Sequence, residues 1–223
     1  MTTSIIRKSG NPGGTTSPAT GWAAARARLA GLPGGGLNIA YEAVDRHVVA
    51  GHGAQPALIW LGRDGARRVL SYADLAADAA RFAHVLRAHG IGPGAVMFLL
   101  SGRVPELYAA TIGALKAGVV VSPLFAAFGP EPVQARMEIG RASVLVTTAQ
   151  HYARKVAQWR ENMPGLRLVL ILGYDAPEGC IALGPAMAAA GSLRHPSDPT
   201  RGYGASALHL GHHWPAKGRC TCA

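Results

Sequence analysis

Five potential metal ligands lie close together in the last part of the chain. His209, His212 and His213 occur in the segment LHLGHH, and Cys220 and Cys222 follow in the segment CTC. Imidazole nitrogens and thiolates are ligands that zinc accepts in structural sites. The surrounding residues show no helix or strand period that would hold these side chains in a fixed geometry. We therefore expect no metal site here and another origin for the cluster.

The overall charge suggests a nucleic-acid or anionic-membrane partner at first sight. The chain carries a formal net charge of +10. Residues 1–41 hold four basic and no acidic side chains, residues 184–223 hold four and one, and residues 42–183 hold 14 and 11. The excess therefore lies towards the two ends, and no short Lys/Arg cluster is interleaved with aromatic residues, as a nucleic-acid-binding face would require. We expect no nucleic-acid partner.

Cysteine content and hydropathy point to the compartment. The three cysteines, Cys180, Cys220 and Cys222, are few and odd in number, which is not the pattern of a disulfide framework. No apolar run is long enough to cross a bilayer. Arg7 and Lys8 are followed by Pro and Gly instead of the apolar stretch of a secretory signal. These features predict a cytoplasmic protein without a membrane partner.

Short apolar stretches alternate with amphipathic ones between residues 37 and 183. Strands are predicted at 55–62, 95–100, 119–125, 143–148 and 167–173, with a further strand turning into a helix at 67–75. Helices are predicted from Asn38 to about residue 50, from that turn to His89, from Pro105 to Gly118, and at 130–140 and 151–162. Continuous apolar strands between helices indicate a parallel sheet covered on both faces. The loops after Leu100, Phe125 and Thr148 should then face the ligand side.

Local signals refine this organisation. Ser71 and Asp74 have the spacing of a capping box, and the helix that follows should bury one face at 4-3-4 spacing, through Leu75, Ala79, Phe82 and Leu86. Residues 1–36 are predicted to be a disordered leader, because NPGGTTSPATG cannot bury apolar surface. Residues 184–223 are predicted to be an irregular tail, because the strand–helix alternation stops there.

Four segments carry a family resemblance: NIAYEAVDRH (38–47), LSYADL (70–75), GRVPELYAATIGALKAGVVVSPLFAAFGPEPV (102–133) and RMEIGRASVLVTT (136–148). In order and spacing, the stretch 38–173 resembles the AMP-forming acyl-CoA synthetases of the adenylate-forming ligase superfamily, and the acetyl-CoA synthetases most of all. The resemblance implies an α/β fold. This chain would hold an incomplete N-terminal subdomain, with a mostly parallel sheet and helices on both faces.

The resemblance also implies a chemistry. The family activates a carboxylate with ATP to give an acyl-adenylate and pyrophosphate, and then transfers the acyl group to the thiol of CoA, so ATP, CoA and Mg belong to the parent family. A Ser/Thr/Gly-rich loop ending in Pro-Lys-Gly holds the phosphates, since small residues let backbone N–H groups approach them. Neither that loop nor the family's catalytic Lys occurs in the chain as written. We expect no catalytic residue, no turnover and no tight binding of these cofactors by the chain alone.

The same resemblance implies a candidate CoA site. In the acetyl-CoA synthetases a Phe-Gly-Gly-Phe turn contacts the CoA nucleotide, and here that position reads Phe125-Ala126-Ala127-Phe128. The family's basic residues near the CoA phosphate fall at Arg154 and Lys155. The alternative for Phe125 is a core residue at a strand end, and the alternative for the basic pair is a solvated helix face.

The tail can be read as a shifted translation of the missing loop. Codons for His209–Gly218, read from the second base of each, permit T-S-G-T-T-G-x-P-K-G. The flanking residues permit family-like sequence as well. We infer a frameshift between about Met187 and Thr200, which would leave the His/Cys cluster without a selected function.

Two alternatives remain beside an inactive portion of an acyl-CoA ligase. One is a non-catalytic module that binds CoA or a nucleotide. The other is a non-functional gene product whose exposed apolar surface leads to aggregation or association.

Overall fold

The structure is a computed structural model that describes residues 18–32 and 35–191. The described residues fall into two units, one up to residue 30 and one from residue 31 onwards. In the first unit, helix α1 spans Pro18–Arg26. The predicted leader 1–36 is therefore helical over this part, because its Ala-rich sequence has a high intrinsic helix propensity. The His/Cys cluster and the shifted phosphate loop lie outside the described residues.

The second unit is built around a five-stranded parallel sheet. Its strands are β3 (Val96–Leu100), β4 (Val120–Pro123), β5 (Val144–Thr147), β6 (Leu168–Ile171) and β7 (Ile181–Ala182). Their spatial order is β4-β3-β5-β6-β7, and every neighbouring pair is parallel. The predicted α/β class with a mostly parallel sheet is confirmed.

Helices cover both faces of this sheet, as its apolar strands require. Helices α2 (Tyr72–Ala88), α3 (Pro105–Lys116) and α6 (Leu183–Gly191) pack on one side, which we call face one. Helices α4 (Pro130–Ile139) and α5 (Ala149–Lys155), with a 3₁₀-helix at Ala157–Asn162, pack on the other side, face two. Side chains alternate accordingly along each strand: Met97 and Leu99 enter face one, whereas Phe98 and Leu100 enter face two.

Helix α2 begins and packs as its sequence predicts. The Ser71 hydroxyl accepts from the Asp74 amide while the Asp74 carboxylate accepts from the Ser71 amide, so the capping box is confirmed. Helix α3 lies very close to α2 at Gly113, where an added Cβ would come within 2.5 Å of the Ala79 carbonyl oxygen. A glycine is therefore required at this crossing, and it fixes the spacing of the two helices on face one.

The segment before the sheet forms two π-helical turns, Tyr41–Asp45 and Val48–His52, followed by a hairpin of β1 (Pro56–Leu61) and β2 (Arg67–Ser71). The side chain of Asn38 accepts from the amides of Ala40 and Tyr41, which agrees with its predicted capping role. One face of the hairpin packs towards α2. The other presents Ile59, Leu61 and Val69, which are 54%, 70% and 41% exposed.

Two predictions of secondary structure were wrong. The helix predicted at 151–162 breaks at Val156, whose fully buried side chain and non-helical backbone turn the chain into the 3₁₀-helix that buries Trp159. The irregular tail predicted from residue 184 is helical up to Gly191. Strand β7 escaped prediction because two residues are too short to show a period.

Candidate functional site

The strand order creates one topological switch point in the sheet. The chain leaves β3 through α3 on face one, towards β4, and leaves β5 through α5 on face two, towards β6. The connections therefore diverge outside the carboxyl ends of β3 and β5, where open α/β sheets bind ligands. Two features lie at this edge of the sheet: a cavity on face one and an aromatic turn on face two.

The cavity has a volume of about 700 Å³. Its walls come from the loops after β3, β5 and β6, including Val104, Thr148 and Gly173, together with helices α2, α3 and α6. Most of its lining is apolar, with contributions from Leu70, Phe82, Ala110, Leu172, Leu183 and Met187. This volume is within the range of small-molecule sites, so the cavity can hold an apolar group.

The charged residues around the cavity are paired with one another. Arg68 lies 2.8 Å from Glu106, and Arg81 lies 2.7 Å from Asp78. Both pairs are largely exposed and so contribute little to stability. Since each guanidinium already faces a carboxylate, the charged lining does not select an anion, and the cavity differs in this respect from the site on face two.

The aromatic turn follows β4 and carries the residues that the sequence singled out. Phe125 is 67% exposed, so it is not a core residue at a strand end. Phe128 packs against the face-two core, and its ring meets that of Phe125 edge-on with centroids 5.6 Å apart. The Arg136 guanidinium lies 4.3 Å from the Phe128 ring centroid, in cation–π geometry. The turn therefore holds Phe128 inward and leaves one face of Phe125 free.

The alanines between these two aromatic residues do not strain the backbone. Among the described residues, Arg141 is the only residue other than glycine with positive φ. Ala126 and Ala127 therefore need no glycine conformation, and alanine is compatible with the turn. Their methyl groups can affect only how closely a ligand approaches the backbone.

Lys155 connects helix α5 to this turn. Its half-buried ammonium donates a hydrogen bond to the carbonyl oxygen of Ala126, 29 residues earlier. Arg154 is exposed, and its guanidinium forms no hydrogen bond or ion pair with residues 18–32 and 35–191. The two predicted basic residues thus have different environments, and only Arg154 lies on a solvated helix face.

His151, on the same helix, adds a titratable group that the sequence had not indicated. Its backbone amide donates to the Thr148 hydroxyl, which caps α5. Partial burial, followed by the positive charges of Lys155 and Arg154, lowers the pKa of His151. The histidine is therefore neutral at a pH where these two residues are cationic, and the site is positive without it. Its position four residues before Lys155 was the available signal.

Of the five residues singled out from the sequence, Phe125, Ala126 and Ala127 form the turn after β4, Lys155 on α5 is bonded to that turn, and Arg154 precedes Lys155 on the same helix. Phe128 ends the turn, and Arg136 contacts its ring. Their contact depends on how α4 packs, which one sequence does not reveal. In the described part of the chain no group of three or more His, Cys, Asp or Glu side chains is arranged to hold a metal ion. None of its helices has the length and apolarity of a bilayer-crossing segment.

In the part of the chain that the structure describes, two buried side-chain polar atoms have no hydrogen-bond partner, Ser101 Oγ and Trp159 Nε1. Ser101 directly follows β3, at the switch point. Next to it, the Thr147 hydroxyl donates to the Leu100 carbonyl oxygen at 2.7 Å and ties β5 to β3. The carboxyl edge of the sheet is thus cross-linked by one hydroxyl and retains a second one without a partner.

Several known proteins are similar to this chain in sequence. Residues 45–195 match the model of the family described as "AMP-binding enzyme". The chain is 33% identical over 160 residues to the acetyl-coenzyme A synthetase of Bacillus subtilis, covering 71% of this chain and 27% of that protein. It is 35% identical over 113 residues to the acetyl-coenzyme A synthetase of Chlorobaculum tepidum, covering 51% and 17%.

Solved structures agree with these relatives. The crystal structure of an acyl-CoA synthetase from Brucella canis is similar with a TM-score of 0.67 and 33% identity, covering 75% of this chain and 30% of that one. A crystal structure of an anthranilate CoA ligase in complex with anthranoyl-AMP, at 18% identity and a TM-score of 0.60, supports the fold alone. In all these comparisons the chain spans less than a third of the relative's length.

Proposed function

Because the chain belongs to the AMP-binding enzyme family, among relatives that are acyl-CoA synthetases, we propose that its surface at the turn after β4 is a CoA contact site. The parent activity would be ligation of acetate or another short-chain carboxylate to CoA, with ATP converted to AMP and pyrophosphate and with Mg as the counterion of the phosphates. Residues 37–183 would be the N-terminal part of that ligase domain.

The observation that carries this proposal is that the exposed Phe125 belongs to a turn bonded to Lys155, the neighbour of the exposed Arg154 on α5. An exposed aromatic face can stack on a purine base, and an unpaired guanidinium can bind a phosphate through two parallel hydrogen bonds. Adenine and a phosphate are both parts of the CoA nucleotide. Phe125 would thus orient the base, while the Arg154 guanidinium would bind the phosphate.

The chemical steps would fall to residues that this sequence does not contain. The phosphate loop and the catalytic Lys of the family have no counterpart in it. We propose that the chain alone has no turnover and that its reading frame changes between about Met187 and Thr200. The family match ends at residue 195, within this range, which supports the proposal. The coding DNA around codons 187–200 tests this directly.

Calorimetry with CoA and with dephospho-CoA, which lacks the 3′-phosphate, tests the site. We expect CoA to bind more tightly, and Phe125→Ala to weaken both ligands. A chain that binds neither ligand would refute the proposed site. Acetate-dependent exchange between ATP and pyrophosphate should stay at the level of a mock preparation, and exchange above that level would refute the absence of turnover.

A second candidate belongs to another class, a gene product without function. It is favoured by the exposed apolar face of the hairpin, formed by Ile59, Leu61 and Val69, which can cause aggregation. Measurable CoA binding by a monomer would argue against it. We further propose a cytoplasmic location, since the cysteine pattern is not that of a disulfide framework.

A further inference from the structure

We propose that Lys155 is a positioning residue that fixes the aromatic turn against helix α5. This inference rests on the proposed CoA site, whose two basic residues, Arg154 and Lys155, are neighbours in sequence but differ in their contacts in the structure.

The Lys155 ammonium lies against the backbone of the aromatic turn. It is half-buried and bonded to the carbonyl oxygen of Ala126, in the middle of the turn. A charge-assisted hydrogen bond of this kind is stronger than a neutral one. Since an ammonium is a point charge on a flexible stem, its partner defines its position. The carbonyl therefore holds the charge at the turn.

Other contacts hold the two ends of the turn. The Leu124 amide donates to the Leu99 carbonyl oxygen and anchors the beginning of the turn to the sheet. At the end of the turn, the Phe128 amide donates to the Phe125 carbonyl oxygen, and the Phe128 ring lies under Arg136. Between these anchors, the contact from Lys155 is the tie to α5. Losing it would free the segment that presents Phe125.

Arg154 differs from Lys155 in its environment. It is exposed, and its guanidinium forms no hydrogen bond or ion pair with the residues that the structure describes. Arginine keeps its charge at any physiological pH and offers a planar set of donors that matches a phosphate. Arg154 can therefore bind a phosphate without breaking an existing contact, whereas Lys155 would have to share its ammonium.

Binding of CoA and of dephospho-CoA, measured in variants of each side chain, separates a positioning role from a phosphate contact, as in a double-mutant cycle. In the full chain, Lys155→Met should weaken CoA and dephospho-CoA by the same factor, about tenfold. Arg154→Met should weaken CoA alone, and Lys155→Arg should restore binding because its guanidinium can reach the same carbonyl. Arg63→Met, in the hairpin loop, controls for the loss of one positive charge. If Lys155→Met weakened CoA selectively, Lys155 would be a phosphate contact and the inference would be overturned.

Amide hydrogen exchange tests the inference without a ligand. Exchange at residues 126–128 should be about tenfold faster in Lys155→Met, and the wild-type rate should return in Lys155→Arg. Unchanged exchange in Lys155→Met would overturn the inference even if CoA binds. Absence of CoA binding in the wild type would instead refute the proposed function, and the exchange rates would still decide the role of Lys155.

Discussion

The Nζ of Lys116 lies 2.9 Å from the Oδ1 of Asp45, and the two side chains are only 8% and 11% exposed. The pair joins the π-helical segment to the end of α3, across 71 residues of sequence. The side-chain amide of Asn38 donates to the carbonyl oxygen of Leu115, the residue before Lys116. Two contacts therefore attach residues 38–45 to the end of α3. The attachment is polar and buried, which makes it sensitive to the loss of either partner.

The first prediction is that Lys116→Met lowers the free energy of unfolding by about 3–5 kcal/mol, because it removes one partner of a buried ion pair. The double variant Lys116→Met/Asp45→Leu should recover most of this loss, since both charges of the pair are then removed. Urea unfolding measures both. Arg81→Met breaks the exposed pair with Asp78 and should cost less than about 1 kcal/mol. Equal losses in Lys116→Met and Arg81→Met would contradict the prediction.

The second prediction concerns protons at His151. Burial and two neighbouring cations lower its pKa in the folded state. The unfolded chain therefore binds a proton first as the pH falls below about 6.5, and the stability from the neutral histidine is lost as the pH drops through the lower folded pKa. Unfolding measured at several pH values should show a smaller loss between about pH 7 and pH 5 in His151→Gln. An unchanged profile in this variant would count against it.

A bound ligand should reverse this effect at the proposed site. An anion at Arg154 offsets the positive charge that disfavours protonation, so it raises the pKa of His151 and CoA binding takes up a proton. Calorimetry in buffers with different ionisation enthalpies measures that uptake, and His151→Gln should abolish it. Uptake that persists in His151→Gln would assign the proton to another group.

Sequence reasoning predicted the sheet because its apolar strands and the helices between them carry their own periods. The 4-3-4 spacing in α2 identified Leu75, Ala79, Phe82 and Leu86, and all four are buried. Sequence reasoning failed where tertiary packing determines the secondary structure. Val156 ends α5 so that Trp159 can reach the core, and β7 exists only because β6 offers it an edge.

The candidate site was also predicted only in part from the sequence. The family resemblance drew attention to Phe125 and Lys155 one by one. Their connection through the Ala126 carbonyl depends on the packing of α5 beside the turn, over 29 residues. His151 lies outside the motifs that carried the resemblance. Arg136 begins one of them but was not singled out, so only the structure brings these two residues into the site.

The fourth prediction is that the face-one cavity binds a hydrophobic fluorescent dye. Its lining is largely apolar and its charges are already paired, so contact with apolar surface should supply most of the affinity. Ala188→Trp, on the cavity wall, should reduce the dye fluorescence by filling the volume. Ala153→Trp, exposed on α5, introduces the same side chain on face two and should not. Equal fluorescence in both variants would show that the dye binds elsewhere.

The last prediction concerns the outer face of the hairpin. Ile59 and Val69 are cross-strand partners, and Leu61 is two residues further along the same face, so the three exposed side chains form a continuous apolar surface on a two-stranded ribbon. Such a ribbon exposes unpaired backbone groups on both edges, which can recruit further strands. We expect Leu61→Lys to lower the aggregated fraction, measured by light scattering and size-exclusion chromatography. Ile139→Lys replaces a side chain that is 85% exposed, at the end of α4, and serves as the matched control. If both variants lower aggregation equally, the added charge is responsible. If only Leu61→Lys does, the hairpin face is the surface through which the chains associate.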